Sequence, residues 1–428
     1  MKTKAVAKKA QSRCPGRISL SKHADYINSH LLYVLDDRET QVYSELEEGD
    51  SIIELINSDF GNRIIKLSEL EKKLKDKLDW SFYILKILQE LDLLEQLKNK
   101  KLTITVKSQI PAAAGLSSSH ALMLSVIYNL AELFDLSEYQ AFIKEPLKHK
   151  TTAMSVIKLC QRVEESRGFK SGLGDQSAQI FSKKGYLTAI KIFPDLDVQY
   201  IKIPDDLAFV TVPSFIKADK STPEFITKNT NIKKYQNLNS LCEKYNCQFL
   251  ADLHETLTEA EIFDFLDAIT DKATKGLALY GLAESKRVKD LIKDFSIAKL
   301  GEHLNLSHQA ELNFKFNSAN AEAQEISEEE KLNYLCDRTI SLSKHSGYYH
   351  ASTEVNDRLQ YLAKNFDGVY GSSITGAGFG GNNIVLIKKS QAEQFKNYLI
   401  QEFYQKEKPN DNHAILHISS SNDGASVK

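Results

Sequence analysis

The amino-acid sequence predicts an α+β fold with two domains. Segments with the alternation typical of strands and segments with the apolar spacing typical of helices follow one another without an internal repeat. Each half of the chain also contains a glycine-rich turn next to a strand, at residues 111–120 and 371–383. At 428 residues, the chain has the length of two domains of about 100 to 200 residues each.

The first half is predicted to alternate strands and helices before it ends in a pair of strands. The predicted elements are a strand at 33–46, a helix at 80–97, a strand at 102–107, helices at 121–133 and 138–167, and strands at 186–193 and 198–203. Residues 1–12 are basic and lack the apolar run of a secretory signal, so they are expected to form a flexible tail.

The second half begins with the apolar strand LAFVTVP at 207–213, followed by long helical segments from Ile232 onward. The segment 316–331 is polar and acidic, which predicts a solvated insertion. After the second glycine-rich turn come a strand at 384–389 and a helix that Ser390 and Glu393 are expected to open as a capping box. The predicted domains are therefore 13–205 and 206–428, the second with an insertion near 316–331.

Composition and charge favour a protein that acts on a small-molecule substrate. The net charge of −2 gives no sign of a nucleic-acid surface, and no apolar run is long enough for a membrane span. The five cysteines have no zinc-site spacing, and their odd number fits a reducing, cytoplasmic location. The sequence does not reveal the oligomeric state, and a monomer is slightly favoured.

The turn PAAAGLSSSH at 111–120 is predicted to bind phosphate. It connects a strand to an apolar helix, and a glycine- and serine-rich turn of this kind presents backbone N–H groups and hydroxyls to an anion. No Lys follows the glycine, so it is not the common P-loop. The competing interpretation is a serine cap on a buried helix, and the turn alone does not decide between them.

Four segments together resemble the GHMP small-molecule kinases: CPGRISLSKHADYIN at 14–28, the turn at 111–120, SGLGDQ at 171–176, and the turn from Gly371 to Asn382. The resemblance implies an N-terminal domain like domain 2 of ribosomal protein S5, a ferredoxin-like C-terminal domain, and an active site in the cleft between them. It also implies ATP and Mg²⁺ as cofactors. Within the family, HADYIN, DWSFYILKIL around Trp80, and the Asp175–Gln176 pair are similar to the galactokinase branch, which implies transfer of phosphate to the anomeric hydroxyl of a sugar.

The residues expected to act follow from these motifs. Asp175 suits a base or orienting acceptor for the sugar hydroxyl, and Arg17 suits stabilisation of both Asp175 and the transferred phosphoryl group. The resemblance implies magnesium ligands at Ser118 and Glu164, with Glu165 as a competitor. The residues expected to bind ATP are Pro111, Ala114, Gly115, Leu116, Ser117, Ser118, Ser119, Gly376 and Gly378, and those expected to bind the sugar are Lys22, His23, Asp25, Tyr26, Gly172 and Gly174.

Two departures from the galactokinase pattern concern the sugar. Lys22 stands where that branch has a glutamate, and the segment after residue 213 lacks the branch's Tyr-Asn pair and carries Lys217, Lys220 and Lys228. A buried lysine requires a counter-charge. Two substrates therefore remain open: galacturonate or another acidic sugar read by Lys22, or ordinary galactose with Lys22 turned toward a carboxylate such as Asp175.

A third alternative is a non-catalytic sensor of sugar and ATP. Retention of Asp175, Arg17 and the serine-rich turn argues against a sensor and favours an enzyme.

Overall fold

As a computed structural model, the structure describes residues 7–168, 170–217, 223–318, 322–332, 336–407, 416–419 and 421–427. The strands are β1 (Lys8–Ser19), β2 (Leu31–Glu48), β3 (Ile52–Asn57), β4 (Arg63–Lys66), β5 (Lys100–Ser108), β6 (Tyr186–Lys191), β7 (Asp197–Lys202), β8 (Leu207–Pro213), β9 (Phe314–Lys315), β10 (Gln324–Glu325), β11 (Val369–Ile374), β12 (Asn382–Lys388), β13 (His417–Ser419) and β14 (Ser426–Val427).

The α-helices lie in groups between runs of strands, as the α+β prediction expects. They are α1 (Leu70–Lys73), α2 (Ser81–Glu90), α3 (Ser118–Leu133), α4 (Ser137–Lys144), α5 (Lys150–Ser166), α6 (Gly174–Phe181), α7 (Pro223–Cys242), α8 (Leu253–Thr256), α9 (Glu259–Asp267), α10 (Lys272–Lys293), α11 (Ile297–Glu311), α12 (Glu328–Lys331), α13 (Glu354–Lys364), α14 (Ala392–Leu399) and α15 (Gln405–Glu407). Among the described residues, no helix has the length and apolar character that a membrane span requires.

Two main sheets define the architecture. The larger has the order β14-β1-β2-β5-β3-β4, and the β6–β7 pair joins it along the first residues of β2. Its pairings are antiparallel except for β3 with β5. The smaller sheet has the order β11-β12-β8-β13 and is antiparallel throughout.

The apolar core runs between the two sheets rather than stopping at a boundary. One cluster contains α3 side chains such as Leu124 and Ile127 together with Leu300 and Leu304 of α11 and Leu386 of β12. A second cluster lies among helices α7 to α10, and a third packs α13 and α14 against the other face of the small sheet. The cleft between the domains is therefore fixed by buried contacts on both sides.

The predicted domain boundaries need two corrections. The expected tail of residues 1–12 is too long, because β1 already pairs with β2 from Lys8. The second domain does not extend without interruption to residue 428 either. Ser426 and Val427 pair with Arg13 and Ser12, so the chain returns to the sheet in which it started.

Some predicted helices also differ in their bounds. The segment expected as one helix at 138–167 is two helices, α4 and α5, since Pro146 disfavours helical backbone at the preceding Glu145. The helix predicted at 80–97 ends at Glu90. The capping box at Ser390 is wrong, because residues Lys389–Gln391 form a 3-10 turn and α14 starts only at Ala392.

Candidate active site

A cavity of about 1010 Å³ lies in the cleft, lined by both domains. The N-terminal domain contributes Arg17, Asp25, Asp175 and the whole turn 111–120, and the C-terminal domain contributes the turn after β11. Every residue predicted to bind ATP lines this cavity, as do Arg17, Asp175, Lys22, His23, Asp25, Tyr26 and Gly172. The sequence motifs are thus brought together in one place, as the resemblance implies.

The turn 111–120 has the backbone of an anion site. Positive φ angles at Ala113, Gly115 and Ser117 alternate with negative φ angles at the residues between them, and such alternation is typical of the backbone concavities that bind anions. Helix α3 begins at Ser118, within this segment, so its N-terminus faces the cavity. Ser117 occupies the N-cap position but makes no side-chain capping bond. The helix-cap interpretation therefore does not account for this serine.

The glycine turn after β11 packs directly on the phosphate turn. A Cβ on Gly115 would lie 2.5 Å from the Thr375 carbonyl oxygen, and one on Gly376 would lie 2.8 Å from the Gly115 carbonyl oxygen. Both glycines have positive φ. Only glycine satisfies the contact and the backbone conformation together at these two positions, so the two motifs depend on each other.

Arg17 and Asp175 form an ion pair in the cavity wall. Arg17 Nε donates to Asp175 Oδ1 at 2.8 Å, and its Nη1 donates to the Gly115 carbonyl oxygen. The Ser117 hydroxyl donates to the other carboxylate oxygen, and His120 Nδ1 lies 3.7 Å from that oxygen. Since Asp175 is the second residue of α6, its charge also lies in the favourable field of a helix N-terminus.

These contacts keep Asp175 ionised. Burial acts to raise the pKa of Asp175, but the charges of Arg17 and His120 and the hydrogen bonds from Arg17 and Ser117 outweigh it and hold the pKa well below its usual range. Burial opposes the charge on Arg17 as well, and Asp175 nevertheless raises the pKa of Arg17. The pair is therefore a fixed cation beside a fixed anion.

Asp25 lies against the segment that precedes Asp175. A Cβ on Gly172 would lie 1.6 Å from Asp25 Oδ2, so only glycine at this position leaves room for the carboxylate. Asp25 belongs to the 3-10 helix Ala24–Ile27, and the preceding His23 stacks on Tyr349 at 3.8 Å between ring centroids. Asp25 and Asp175 are thus two acceptor groups held in the same wall.

Lys22 is paired with a carboxylate of the protein, as the galactose interpretation expects, but the carboxylate is that of Glu311. Lys22 is 3% exposed, forms an ion pair with the fully buried Glu311, and donates to the Ser373 hydroxyl at 2.9 Å. Asp175, the example named for that interpretation, pairs with Arg17 instead. Lys22 already has a counter-charge, so the physical reason for expecting a sugar carboxylate there no longer holds.

Three further residues named from the sequence lie outside the cavity wall. Gly174 is buried and contacts Tyr33 and Leu31. Glu164, expected as a magnesium ligand, is 1% exposed and accepts a hydrogen bond from Tyr83 Oη at 2.7 Å. Its competitor Glu165 is exposed. Neither glutamate lines the cavity, whereas Ser118 does. The hydroxyl fits a magnesium site, and Glu164 does not fit as a direct ligand.

The lysines of the segment after β8 are only partly described. Lys217 is exposed and lines the cavity. Lys220 and the side chain of Lys228 lie outside the described residues.

Sequence reasoning missed His120 and Glu311, and it did not predict the hydrogen bond that Ser117 makes. Ser117 was expected to contact the nucleotide but bonds Asp175, His120 approaches the same carboxylate, and Glu311 neutralises Lys22. Only Glu311 left a signal, because a lysine in a buried motif requires an acid somewhere in the chain.

The cavity can hold a polyphosphate beside an oriented carboxylate, which is the arrangement that phosphoryl transfer to an alcohol requires. Fold and site together define a small-molecule kinase. The chain belongs to the GHMP kinases: residues 83–183 match the GHMP kinases N terminal domain, and residues 335–406 match the GHMP kinases C terminal family. It is therefore a phosphotransferase with an alcohol group as acceptor.

Known relatives and structures agree with this assignment. The galactokinase of Thermosipho africanus is 26% identical over 398 residues, 92% of this chain and 93% of its own, and that of Thermotoga maritima is 24% identical over 96% and 98%. The structure of Lactococcus lactis galactokinase complexed with galactose matches with a TM-score of 0.73 at 22% identity, covering 98% of this chain and 95% of that one. Methanococcus jannaschii mevalonate kinase has the same fold at a TM-score of 0.55 and 16% identity, over 92% and 95%.

Proposed function

We propose that the protein is an ATP-dependent sugar 1-kinase of the galactokinase type, which phosphorylates the anomeric hydroxyl of galactose or a close relative. The observation that carries the proposal is the Arg17–Asp175 pair, held beside the phosphate turn by Gly115 and Ser117. It puts an acceptor for a hydroxyl proton next to the place where a γ-phosphate would lie. The galactokinase relatives named above support a sugar as the acceptor.

Asp175 would accept a hydrogen bond from the anomeric hydroxyl and orient its oxygen toward phosphorus. As the new P–O bond forms, the bond to the β-phosphate oxygen breaks and ADP leaves with the electron pair. The hydroxyl proton passes to Asp175 and then to solvent. Because the pKa of Asp175 is low, its main contribution is orientation, which suits a loose transition state with late proton transfer.

Arg17 and the N-terminus of α3 would stabilise the negative charge on the transferred phosphoryl group and on the leaving ADP. Mg²⁺ bound with ATP would neutralise phosphate charge, with the Ser118 hydroxyl as its protein ligand. Ser117 instead donates a hydrogen bond to Asp175, so Ser117 and Ser118 would have different roles.

The Lys22–Glu311 pair favours a neutral sugar. Of the two substrates left open by the sequence, galacturonate depended on a free positive charge at Lys22, and that charge is compensated inside the protein. Galactose, or a sugar that resembles it, requires no such charge. Asp25 is the acceptor that would bind further hydroxyls of the sugar.

The test is an ADP-release assay with galactose, galacturonate, glucuronate, arabinose, fucose and amino sugars, with ³¹P NMR to locate the phosphate on the anomeric carbon. We expect turnover with galactose or another neutral sugar and none with the uronic acids. Turnover of galacturonate alone would restore the acidic-sugar alternative. Binding of sugar and ATP without ADP release from any sugar would contradict the kinase and support a sensor.

A further inference from the structure

The cavity wall that holds Asp25 and Asp175 also contains the phenol of Tyr33, which belongs to none of the sequence motifs. Tyr33 lies in β2, opposite Ser19 of β1 and Thr188 of β6, and it lines the cavity although only 3% of its surface is exposed. Its hydroxyl lies against Gly174, the first residue of α6 and the neighbour of Asp175, because a Cβ on Gly174 would lie 2.3 Å from Tyr33 Oη. Gly172 makes room for Asp25 in the same way, so the two glycines admit one polar group each.

The environment of Tyr33 keeps its hydroxyl neutral. Burial raises the pKa of Tyr33 well above its ordinary value, and the charges of Asp175 and Asp25 raise it further, while the charge of Arg17 and a hydrogen bond with the Ser19 side chain act in the opposite direction. A protonated phenol both donates and accepts a hydrogen bond. Asp25 and Asp175, when ionised, can only accept.

A sugar hydroxyl in this wall needs a donor as well as an acceptor. It would donate its proton to one of the two carboxylates, and its oxygen would then lie buried without a hydrogen bond unless a donor were near. Arg17 donates to Asp175 and Gly115, and Lys22 donates to Glu311 and Ser373. The O–H of Tyr33 is a further donor in the same wall.

The segment after β8, where galactokinases carry a tyrosine, does not supply this donor within the described residues. Phe215 turns away from the cavity and packs edge-on against Tyr404, with 5.5 Å between ring centroids. Its successor Ile216 contacts the glycine turn through its carbonyl oxygen, and Lys217 lines the cavity. Of the other cavity tyrosines, Tyr83 bonds Glu164 and Tyr26 is already among the residues expected to bind the sugar.

We propose that the Tyr33 hydroxyl binds the sugar hydroxyl next to the one that is phosphorylated, and that it replaces the phenol missing after β8. The inference rests on the proposed function. It adds a specificity-determining residue from the N-terminal sheet, and it explains why position 174 is glycine although that residue does not touch the cavity.

The experiment compares Tyr33→Phe with the wild-type enzyme. The variant keeps the ring and loses one hydroxyl, so we expect the KM for the sugar to rise about tenfold and the KM for ATP to stay constant. Tyr200→Phe is the matched control, since its hydroxyl bonds the Phe181 carbonyl oxygen outside the cavity wall. Thermal unfolding of both variants checks that the fold is retained.

Monodeoxy sugars separate binding from a structural role. If Tyr33 binds the neighbouring hydroxyl, the wild type and Tyr33→Phe should bind the 2-deoxy sugar equally well, while they differ about tenfold for the parent sugar. An equal loss with every sugar, or no loss with any, would overturn the proposal. Sugar binding measured by calorimetry with ADP present reports on Tyr33 even if no sugar is turned over, so failure of the kinase assignment is seen separately.

Discussion

Lys22 and Glu311 form an ion pair across the cleft, with 3% and 0% of their surfaces exposed. Lys22 follows β1 in the N-terminal domain, and Glu311 is the last residue of α11 in the C-terminal domain. The backbone N–H of Lys22 also donates to Glu284, which Arg287 neutralises. Charged residues of the C-terminal domain therefore hold the segment that contains Lys22 and Asp25 in place.

Replacing Lys22 with Glu should unfold the protein rather than change its substrate. The new carboxylate would lie buried beside Glu311, and breaking a buried pair costs about 3–5 kcal/mol before any repulsion is added. Chemical denaturation measures the loss. Lys9→Glu is the control, since Lys9 and Glu45 form an exposed pair and its reversal should cost less than about 1 kcal/mol.

The double variant Lys22→Met, Glu311→Leu tests whether the pair reads the substrate. Removing both charges together should restore most of the stability lost in Lys22→Glu, because no buried charge is left without a partner. The ratio of kcat/KM for neutral and acidic sugars should stay as in the wild type. A change of that ratio by tenfold or more would show that Lys22 does face the sugar.

Asp175→Asn should lower kcat by about 10²–10⁴-fold and leave ATP binding intact. The amide keeps the shape of the side chain but cannot take the hydroxyl proton or balance Arg17. Steady-state kinetics and calorimetry with a non-hydrolysable ATP analogue measure the two effects. Asp205→Asn, an exposed change of the same kind, is the control. Loss of nucleotide binding in Asp175→Asn would instead indicate a structural role.

Gly172→Ala should weaken sugar use, because the added Cβ would displace Asp25. A shift of about 1 Å in a binding group can cost a hundredfold, so kcat/KM for the sugar should fall by about that factor. ATP binding should not change. Gly168→Ala is the comparison: nothing lies within 4 Å of its added Cβ, and its positive φ predicts a small loss of stability only. Equal sugar kinetics in the two variants would contradict this use of Gly172.

His417 should make the stability of the protein depend on pH. Hydrogen bonds with Asp36 and Asp37 of β2 raise the pKa of His417 to about 9, against burial and Arg38. The folded pKa exceeds the unfolded value of about 6.5, so the stabilisation is complete below that pH and is lost as the pH rises through about 9.

Urea unfolding at pH 6.5 and 9.5 measures this effect. The free energy of unfolding of the wild type should fall by roughly 1 kcal/mol more than that of His417→Gln, after allowance for solvent screening of a partly exposed group. Parallel pH profiles for the two proteins would show that the contact between β13 and β2 does not titrate in this range.

Local sequence patterns predicted much of the fold, since they depend on residues close together in the chain. The strand at 207–213 has the predicted bounds, and the two glycine turns lie where the motifs put them. The patterns failed where two local signals disagree. Around Pro146 the apolar spacing predicts one continuous helix, whereas the proline separates α4 from α5.

The candidate site was predictable only as far as its motifs. Arg17, Asp175 and the serine turn belong to recognisable segments, whereas Glu311 lies 289 residues from its partner Lys22. The place of Tyr33 in the cavity wall could not be predicted either, because a tyrosine at this position in β2 is equally compatible with a core residue and with a ligand contact. Such contacts depend on how the two domains pack together, and a single sequence does not show which distant residues the packing brings into contact.

The pairing of β14 with β1 has a consequence for how the protein is made. Ser12 and Arg13 leave the ribosome early, and their partners Val427 and Ser426 follow only after the whole C-terminal domain. Contacts between distant parts of a chain form slowly, and an unpaired strand edge is prone to association with other chains. The nascent N-terminal sheet therefore carries an open edge during most of translation, and chaperone binding would be most useful at that stage.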